Sequence, residues 1–424
     1  MIEKRKRGIY MAKKPLPIAL ITGYLGAGKT TLLNRILSNP QGHKIAVIVN
    51  DIGEVNIDAS LIEKKGAVTQ MDNSLVPLQN GCICCTLSND LIDQIDNLGK
   101  MDDFDYILIE ASGVCEPQPI AENITMSQET AQMRGLDPVC YLDNIACVVD
   151  AKRMADEFEC GTGFAENKEQ YQQEEDIRAL LIQQIEFANL VILNKAELVS
   201  DQEKENIKKV IVALNPNAKI VEATYGEVDM DELLDTGRFD FDKAYYGEGW
   251  VKAMDDYDKE QKEHHHHHHE HDHEHHEHDH NHHEHEHHHH HHHHDHDHGE
   301  TEEYGIGTFV YHSRDPFRID LLEKVAGAWP ASIIRTKGYC WFEHDPKTLY
   351  VFEQAGSQIA LSPDGLWLAA CGPQVQEKEF ELRPEIKETW DEKYGDRENK
   401  IVFIGKDMDQ QAIIQMMDDC LVKE

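Results

Sequence analysis

The stretch Ile18-Ala19-Leu20-Ile21-Thr22-Gly23-Tyr24-Leu25-Gly26-Ala27-Gly28-Lys29-Thr30-Thr31-Leu32-Leu33-Asn34-Arg35-Ile36-Leu37 decides the fold. An apolar run, a glycine-rich turn and an apolar run at helical spacing follow without interruption. Gly23 to Thr30 satisfies the pattern G-x-x-x-x-G-K-[ST]. In that pattern Gly23, Gly26, Ala27 and Gly28 turn successive backbone N–H groups inward around a phosphate. Lys29 reaches the β- and γ-oxygens and is a candidate catalytic residue. The Thr30 hydroxyl binds Mg²⁺, and the helix that carries Thr31 aims its positive end at the anion. The expected ligand is therefore a nucleoside triphosphate with Mg²⁺.

Further short apolar runs lie at Ile45 to Val49, Tyr106 to Ile109, Ile145 to Val149, Leu190 to Leu193 and Ile220 to Ala223. Helical patterns separate them, as at Asn89 to Leu98, Glu174 to Phe187 and Gln202 to Leu214. Such alternation predicts an α/β unit with a mainly parallel sheet flanked by helices. Glu110 ends the Tyr106 run, where a nucleotide hydrolase needs an acid to hold or polarise Mg²⁺ and water. Gly113 follows, placed to donate its N–H to a γ-phosphate. Asn194-Lys195-Ala196-Glu197 follows another strand, as the guanine-reading Asn-Lys-x-Asp element of GTPases does. A carboxylate there accepts two hydrogen bonds from guanine, for which adenine lacks the donors. This favours GTP over ATP, although Glu197 stands where Asp is usual and its extra methylene alters the geometry.

Three of the ten cysteines fall within four residues, at Cys82, Cys84 and Cys85. Thiolates are soft ligands that select Zn²⁺, Cu⁺ and similar ions, and three of them leave one tetrahedral position for a metal in transit. The isolated Cys115, Cys140, Cys147, Cys160, Cys340, Cys371 and Cys420 read as structural. Asp51 and Glu54 follow the second strand, within reach of either Mg²⁺ or a thiolate-bound ion. Of 28 histidines, 25 lie between His264 and His298, interspersed with nine acids and one asparagine. At three or four imidazoles per ion this tract would hold on the order of six to eight Zn²⁺ ions. Co²⁺ and Ni²⁺ would bind too, so the tract does not name the metal. An inert spacer of the same composition is the competing reading. His43, His312 and His344 read as surface or structural residues.

The chain has 424 residues and a formal charge of −38. Without the tract the remainder still carries −29. Such a balance argues against nucleic acid and against an anionic membrane surface. No run approaches the ~18 apolar residues that span a bilayer, and the basic start lacks an apolar core. A cytoplasmic location is expected. The expected organisation is a disordered basic leader (1–16), a phosphate-loop domain (17–237), a linker holding the disordered tract (238–302) and a smaller C-terminal α+β domain (303–424). Residues from about 252 to 302 read as disordered throughout.

The phosphate loop paired with a C-x-C-C motif resembles the CobW-type family of P-loop GTPases. The likeness runs through Gly23 to Thr31, Asn50 to Asp58, Gly81 to Cys85, Ile109 to Gly113, Gln184 to Lys195 and Leu214 to Pro216. It continues in Thr308 to Phe317, Ile334 to Trp341 and Val402 to Gly405. The resemblance implies GTP hydrolysis with Mg²⁺, and Zn²⁺ or another transition metal at Cys82, Cys84 and Cys85. Asp51-Ile52 stands where Glu-Phe is usual in that family. The expected activity is a GTPase that delivers zinc to a client apo-metalloprotein, with the tract collecting metal. The alternatives are a cobalt or iron insertion factor and a non-enzymatic zinc or nickel store. Monomer and homodimer both remain open.

Overall fold

The computed structural model describes residues 14–49, 75–77, 88–101, 103–158, 177–246, 249–267 and 305–423. It divides into two compact units. One runs through Gly249 and takes in Glu353–Leu361; the other comprises Trp250–Phe352 and the chain from Ser362 onward.

The first unit alternates strands and helices: β1 (Leu16–Thr22), α1 (Lys29–Ser38), β2 (Ile45–Val49), β3 (Leu75–Pro77), α2 (Ser88–Lys100), β4 (Tyr106–Glu110) and α3 (Gln118–Met133). Then come β5 (Cys140–Asp150), α4 (Ala151–Glu157), α5 (Ile177–Glu186), β6 (Leu190–Asn194), α6 (Asp201–Leu214), β7 (Lys219–Glu222) and α7 (Phe241–Tyr246). The seven strands form one sheet in the order β3-β2-β4-β1-β5-β6-β7. Its pairings are parallel. β1, β2, β4 and β6 are buried at every residue, as strands covered on both faces must be. On one face Leu32, Leu33 and Ile36 of α1 pack on Ala19, Ile21, Val47, Ala146 and Val148. On β5, contacts come from α2, α3 and α5. The α/β sheet expected from the apolar runs is thus present. The helix α3 was not expected, because its apolar positions Ile120, Ala121 and Ile124 occupy only its first half.

Towards the amino ends of β4 and β5 sits a buried polar anchor. Tyr106 donates its hydroxyl to Asp143 Oδ2 at 2.5 Å. The N–H groups of Thr236 and Gly237 donate to the same carboxylate, at 3.0 and 2.5 Å. Burial, reinforced by the Asp143 charge, pushes the Tyr106 hydroxyl well above its ordinary range, so it stays a donor. The anchor ties the loop before α7 to the sheet, at the end remote from the glycine-rich turn.

Apart from Gly249 and Glu353–Leu361, the second unit contains α8 (Gly249–His267), β8 (Ile306–Ser313), α9 (Ile319–Ala326), β9 (Ile333–Phe342), β10 (Asp345–Ala355) and β11 (Gln358–Leu366). α10 (Pro373–Leu382), α11 (Glu385–Glu388), β12 (Asn399–Lys406) and α12 (Gln410–Asp418) complete it. Its sheet runs β11-β10-β9-β12-β8, with β12 antiparallel to both neighbours. This is the smaller α+β domain anticipated. Ile333 to Phe342 is one strand where two were expected. Gly338 allows this: a Cβ there would lie 2.2 Å from Lys400 O of the adjoining strand. The helix expected from Pro316 begins only at Ile319. Phe317 instead pairs with strand β9, its N–H donating to Trp341 O at 3.0 Å.

The reading of residues 252–302 as a disordered linker is corrected over its first part. α8 is a helix of 19 residues, and Trp250 and Met254 are buried on it. Trp250 meets Tyr339 edge-on, with Lys337 Nζ 5.0 Å from its ring centroid. Asp258 pairs with Lys400 at 2.5 Å, and Tyr257 lies against His312. A stripe at i, i+4 and i+7 suffices to dock a helix, even in a segment of low mean hydropathy. Among the described residues no helix is long and apolar enough to cross a membrane.

Asp143→Ala would strand three donors in a site 1% exposed. We expect it to lower the stability of the first unit by about 3 kcal/mol. Tyr106→Phe should cost about 1 kcal/mol. Urea unfolding followed by fluorescence measures both, and nucleotide affinity per folded molecule should be unchanged.

Candidate functional site

The turn from β1 into α1 is built on left-handed glycines: φ is +134° at Gly23, +75° at Gly26 and +109° at Gly28. Two of these positions also lack room for a side chain. A Cβ on Gly23 would lie 2.2 Å from Val148 O, and one on Gly28 would lie 2.3 Å from Asn194 Nδ2. Lys29 is buried, and its ammonium donates to Gly23 O at 2.7 Å and Tyr24 O at 3.3 Å. The charge is thereby pinned against the loop. Among the described residues no side chain caps α1, so its first-turn N–H groups face an anion position. Thr31 is exposed on the same helix.

Thr30 Oγ1 donates to Glu110 Oε1 at 3.0 Å. Register explains the meeting: Glu110 pairs with Ile21 on β1 and with Val49 on β2. A hydroxyl and a buried carboxylate converging beside a phosphate loop form a hard oxygen donor set, which fits Mg²⁺. Gly113, three residues on, lies against the loop; a Cβ there would meet Leu25 N at 2.7 Å. Beneath the loop, burial pushes the Cys147 thiol up to about 12, against the opposing charge of Lys29. It stays protonated and serves packing. Cys115, Cys140, Cys340 and Cys420 are buried too.

Asn194 joins this site to a second one. Its Nδ2 donates to Ala27 O at 2.8 Å, and its Oδ1 accepts from Gly226 N at 2.9 Å. Lys195 is left-handed at φ +58° and pairs with Asp150 Oδ2 at 2.5 Å. Glu197 is exposed, on the one-turn 3-10 helix Ala196–Leu198. It lines a shallow cavity of about 350 Å³ with Thr224 and Glu227. The backbones of the two flanking loops bond directly, Ala196 N to Ala223 O at 3.2 Å.

A model for the CobW/HypB/UreG nucleotide-binding domain matches residues 17–222, and one for the cobalamin synthesis protein cobW C-terminal domain matches residues 306–421. The zinc-regulated GTPase metalloprotein activator 1 of Dictyostelium discoideum is 34% identical over 422 residues, covering 96% of this chain and 80% of that protein. The zinc chaperone YjiA of Escherichia coli is 34% identical over 230 residues, covering 53% of this chain and 63% of that one. The zinc chaperone CobW of Pseudomonas aeruginosa is 35% identical over 234 residues, covering 52% and 59%. The chain is a P-loop GTPase of the CobW/HypB/UreG family.

For this CobW-type GTPase the structure brings together Gly23, Gly26, Ala27, Gly28, Lys29, Thr30, Glu110 and Gly113 at one end of the sheet. Asn194 and Lys195 flank them. Asp51, Glu54, Cys82, Cys84, Cys85 and His298 lie outside the described residues. His264 falls on the last turns of α8. Among the described residues no group of three or more His, Cys, Asp or Glu side chains is placed to hold a metal ion. Sequence reasoning missed three residues of this neighbourhood. Asp150 caps α4 through Lys152 N and Arg153 N while holding Lys195. Gly226 fixes Asn194 from the loop after β7. Gln184 reaches the loop after Glu110. Asp150 left a trace as an acid ending an apolar run, and Gln184 as the first residue of the stretch Gln184 to Lys195 that carries part of the family likeness.

Gly28→Ala would impose a left-handed alanine and break the Asn194–Ala27 bond. We expect GDP and GTP affinity both to fall by about 2 kcal/mol or more, read by titration with a fluorescent nucleotide. Gly113→Ala should reduce kcat, because its Cβ would press on Leu25 of the phosphate loop.

Proposed function

We propose that this GTPase is a metallochaperone that carries Zn²⁺ on Cys82, Cys84 and Cys85 to a client apo-metalloprotein in the cytoplasm. The observation that carries the reading is the register of adjoining strand ends. Glu110, which accepts from Thr30, pairs with Val49, and Val49 pairs with Pro77, the last residue of β3. Two strand spacings, about 10 Å, separate Glu110 from Pro77. The thiol run begins five residues after Pro77 and ends three before α2. Asp51 and Glu54 stand two and five residues after Val49. The segments that would sense the nucleotide and the cargo thus leave adjacent strands at the same end of the sheet. The zinc-related names of the relatives support the choice of metal.

In this reading the glycine turn, Lys29 and the uncapped start of α1 bind the phosphates. Thr30 and Glu110 would hold Mg²⁺, which supplies charge neutralisation on the β- and γ-phosphates when bound. The Gly113 N–H marks the γ-phosphate, and Asn194, Lys195 and Glu197 read guanine. Loss of the γ-phosphate would alter the affinity of the thiolates for metal. His264 to His298 collect and buffer metal. Protonation removes the imidazole lone pair, so their loading should fall away below about pH 6.

Zinc titration of the chain lacking residues 264–298 tests the core of this. About one tightly bound ion per chain is expected, lost on replacing Cys82, Cys84 and Cys85 together by serine, with GTP hydrolysis no longer responsive to zinc. If tight zinc binding and zinc-responsive hydrolysis both survive that replacement, the coupling is wrong. Parallel titrations with Co²⁺ and Fe²⁺ decide the metal. Glu197→Asp should sharpen the preference for GTP over ATP, measured as the ratio of the two kcat/KM values.

A further inference from the structure

Gln184 lies in the last turn of α5 and is fully buried. Its Nε2 donates to two backbone carbonyls of one loop, Gly113 O at 3.3 Å and Cys115 O at 3.1 Å. Both amide N–H bonds are therefore committed to the segment that follows Glu110. That segment is otherwise fixed at its ends, by Ala111 N to Ile21 O at 2.9 Å and Cys115 N to Ser112 O at 3.1 Å. Its middle is a glycine, which has no side chain to limit its torsions. Control must come from outside the loop. On one side stands the phosphate loop at Leu25; on the other stands Gln184.

The helix that holds Gln184 is itself clamped. Asn215 Nδ2 donates to Ile185 O, Glu186 O and Ala188 O at 2.9, 2.9 and 2.8 Å. The chain then passes through Asn189, whose Oδ1 accepts from Ile145 N at 2.6 Å, into β6 and Asn194. A rigid path thus connects the loop after β4 to the base-reading loop.

We infer that Gln184 is a positioning residue for GTP hydrolysis: by holding the Gly113–Val114 peptide it sets where the Gly113 N–H stands. It touches neither nucleotide nor metal. The inference rests on the proposal that Gly113 senses the γ-phosphate. It predicts that removing the amide donor spares the diphosphate state and penalises the triphosphate state.

Gln184→Met keeps volume and removes the donor. Gln184→Leu also removes the donor without introducing an ionisable group, and it carries the test should the methionine variant not fold. In the full chain we expect GDP affinity within about threefold of wild type, kcat lowered about tenfold and KM for GTP raised in step with the weaker hold on the triphosphate, the size expected from losing one or two neutral hydrogen bonds. Affinity for a non-hydrolysable GTP analogue should fall about as far as kcat. Wild-type kcat in a folded variant overturns the inference. So does an equal loss of GDP and GTP-analogue affinity, which marks a purely structural role. Gly113→Ala serves as the control: if it leaves kcat intact, the assignment of Gly113 fails rather than the tether.

Discussion

A single carboxamide holds the nucleotide site in one arrangement. Asn194 is 2% exposed and spans from the phosphate loop at Ala27 to the loop after β7 at Gly226. It stands on β6, which is separated from β1 by β5. A buried amide with both ends satisfied contributes order, and with either end unsatisfied it is costly. The glycines follow from this. Gly28 carries no side chain because Asn194 Nδ2 occupies that space, and Gly23 carries none because Val148 O does. The phosphate-binding and base-reading loops are therefore built as one rigid body, on which Lys29 and Thr30 are simply mounted. On the proposed function the loop after β4, beside the phosphate loop, responds to the nucleotide, and it is there that Gln184 takes hold.

The parts of this arrangement differ in how plainly the sequence displays them. The strands are legible because a parallel strand covered on both faces must be apolar at every residue, so Ile45 to Val49 and Leu190 to Leu193 stand out unaided. The phosphate loop is legible because its geometry demands glycine at fixed offsets. Gln184, Asp150 and Gly226 act on partners 69 to 71, 45 and 32 residues away. No local spacing announces such pairs. α8 was hidden for a different reason. Its apolar stripe is confined to Trp250, Met254 and Tyr257, and the acidic residues around them dominate any average over the segment. The composition of the histidine tract was read backwards into a helix that tertiary packing had already claimed.

The docked helix bears on the tract itself. With α8 docked on β9 and β12 through Trp250 and Asp258, and with β8 starting at Ile306, both ends of the tract belong to the second unit. It is an insertion within that unit, not a tether strung between domains. The thiol run belongs to the other unit, between β3 and α2. On the proposed function the two metal-handling elements are thus wired differently. Strand register connects the thiol run to Glu110 and Thr30, and so to the state of the nucleotide. Among the described residues no strand of the nucleotide-binding sheet leads to the tract, whose imidazoles would on that reading answer to free metal and to pH. A buffer should behave that way, filling and emptying with supply, while commitment of an ion to a client stays with the element that hydrolysis can move. On the proposed function the division of labour between histidine and cysteine therefore follows the division of the chain into units. The softer, stronger ligands would belong to the unit that binds the nucleotide.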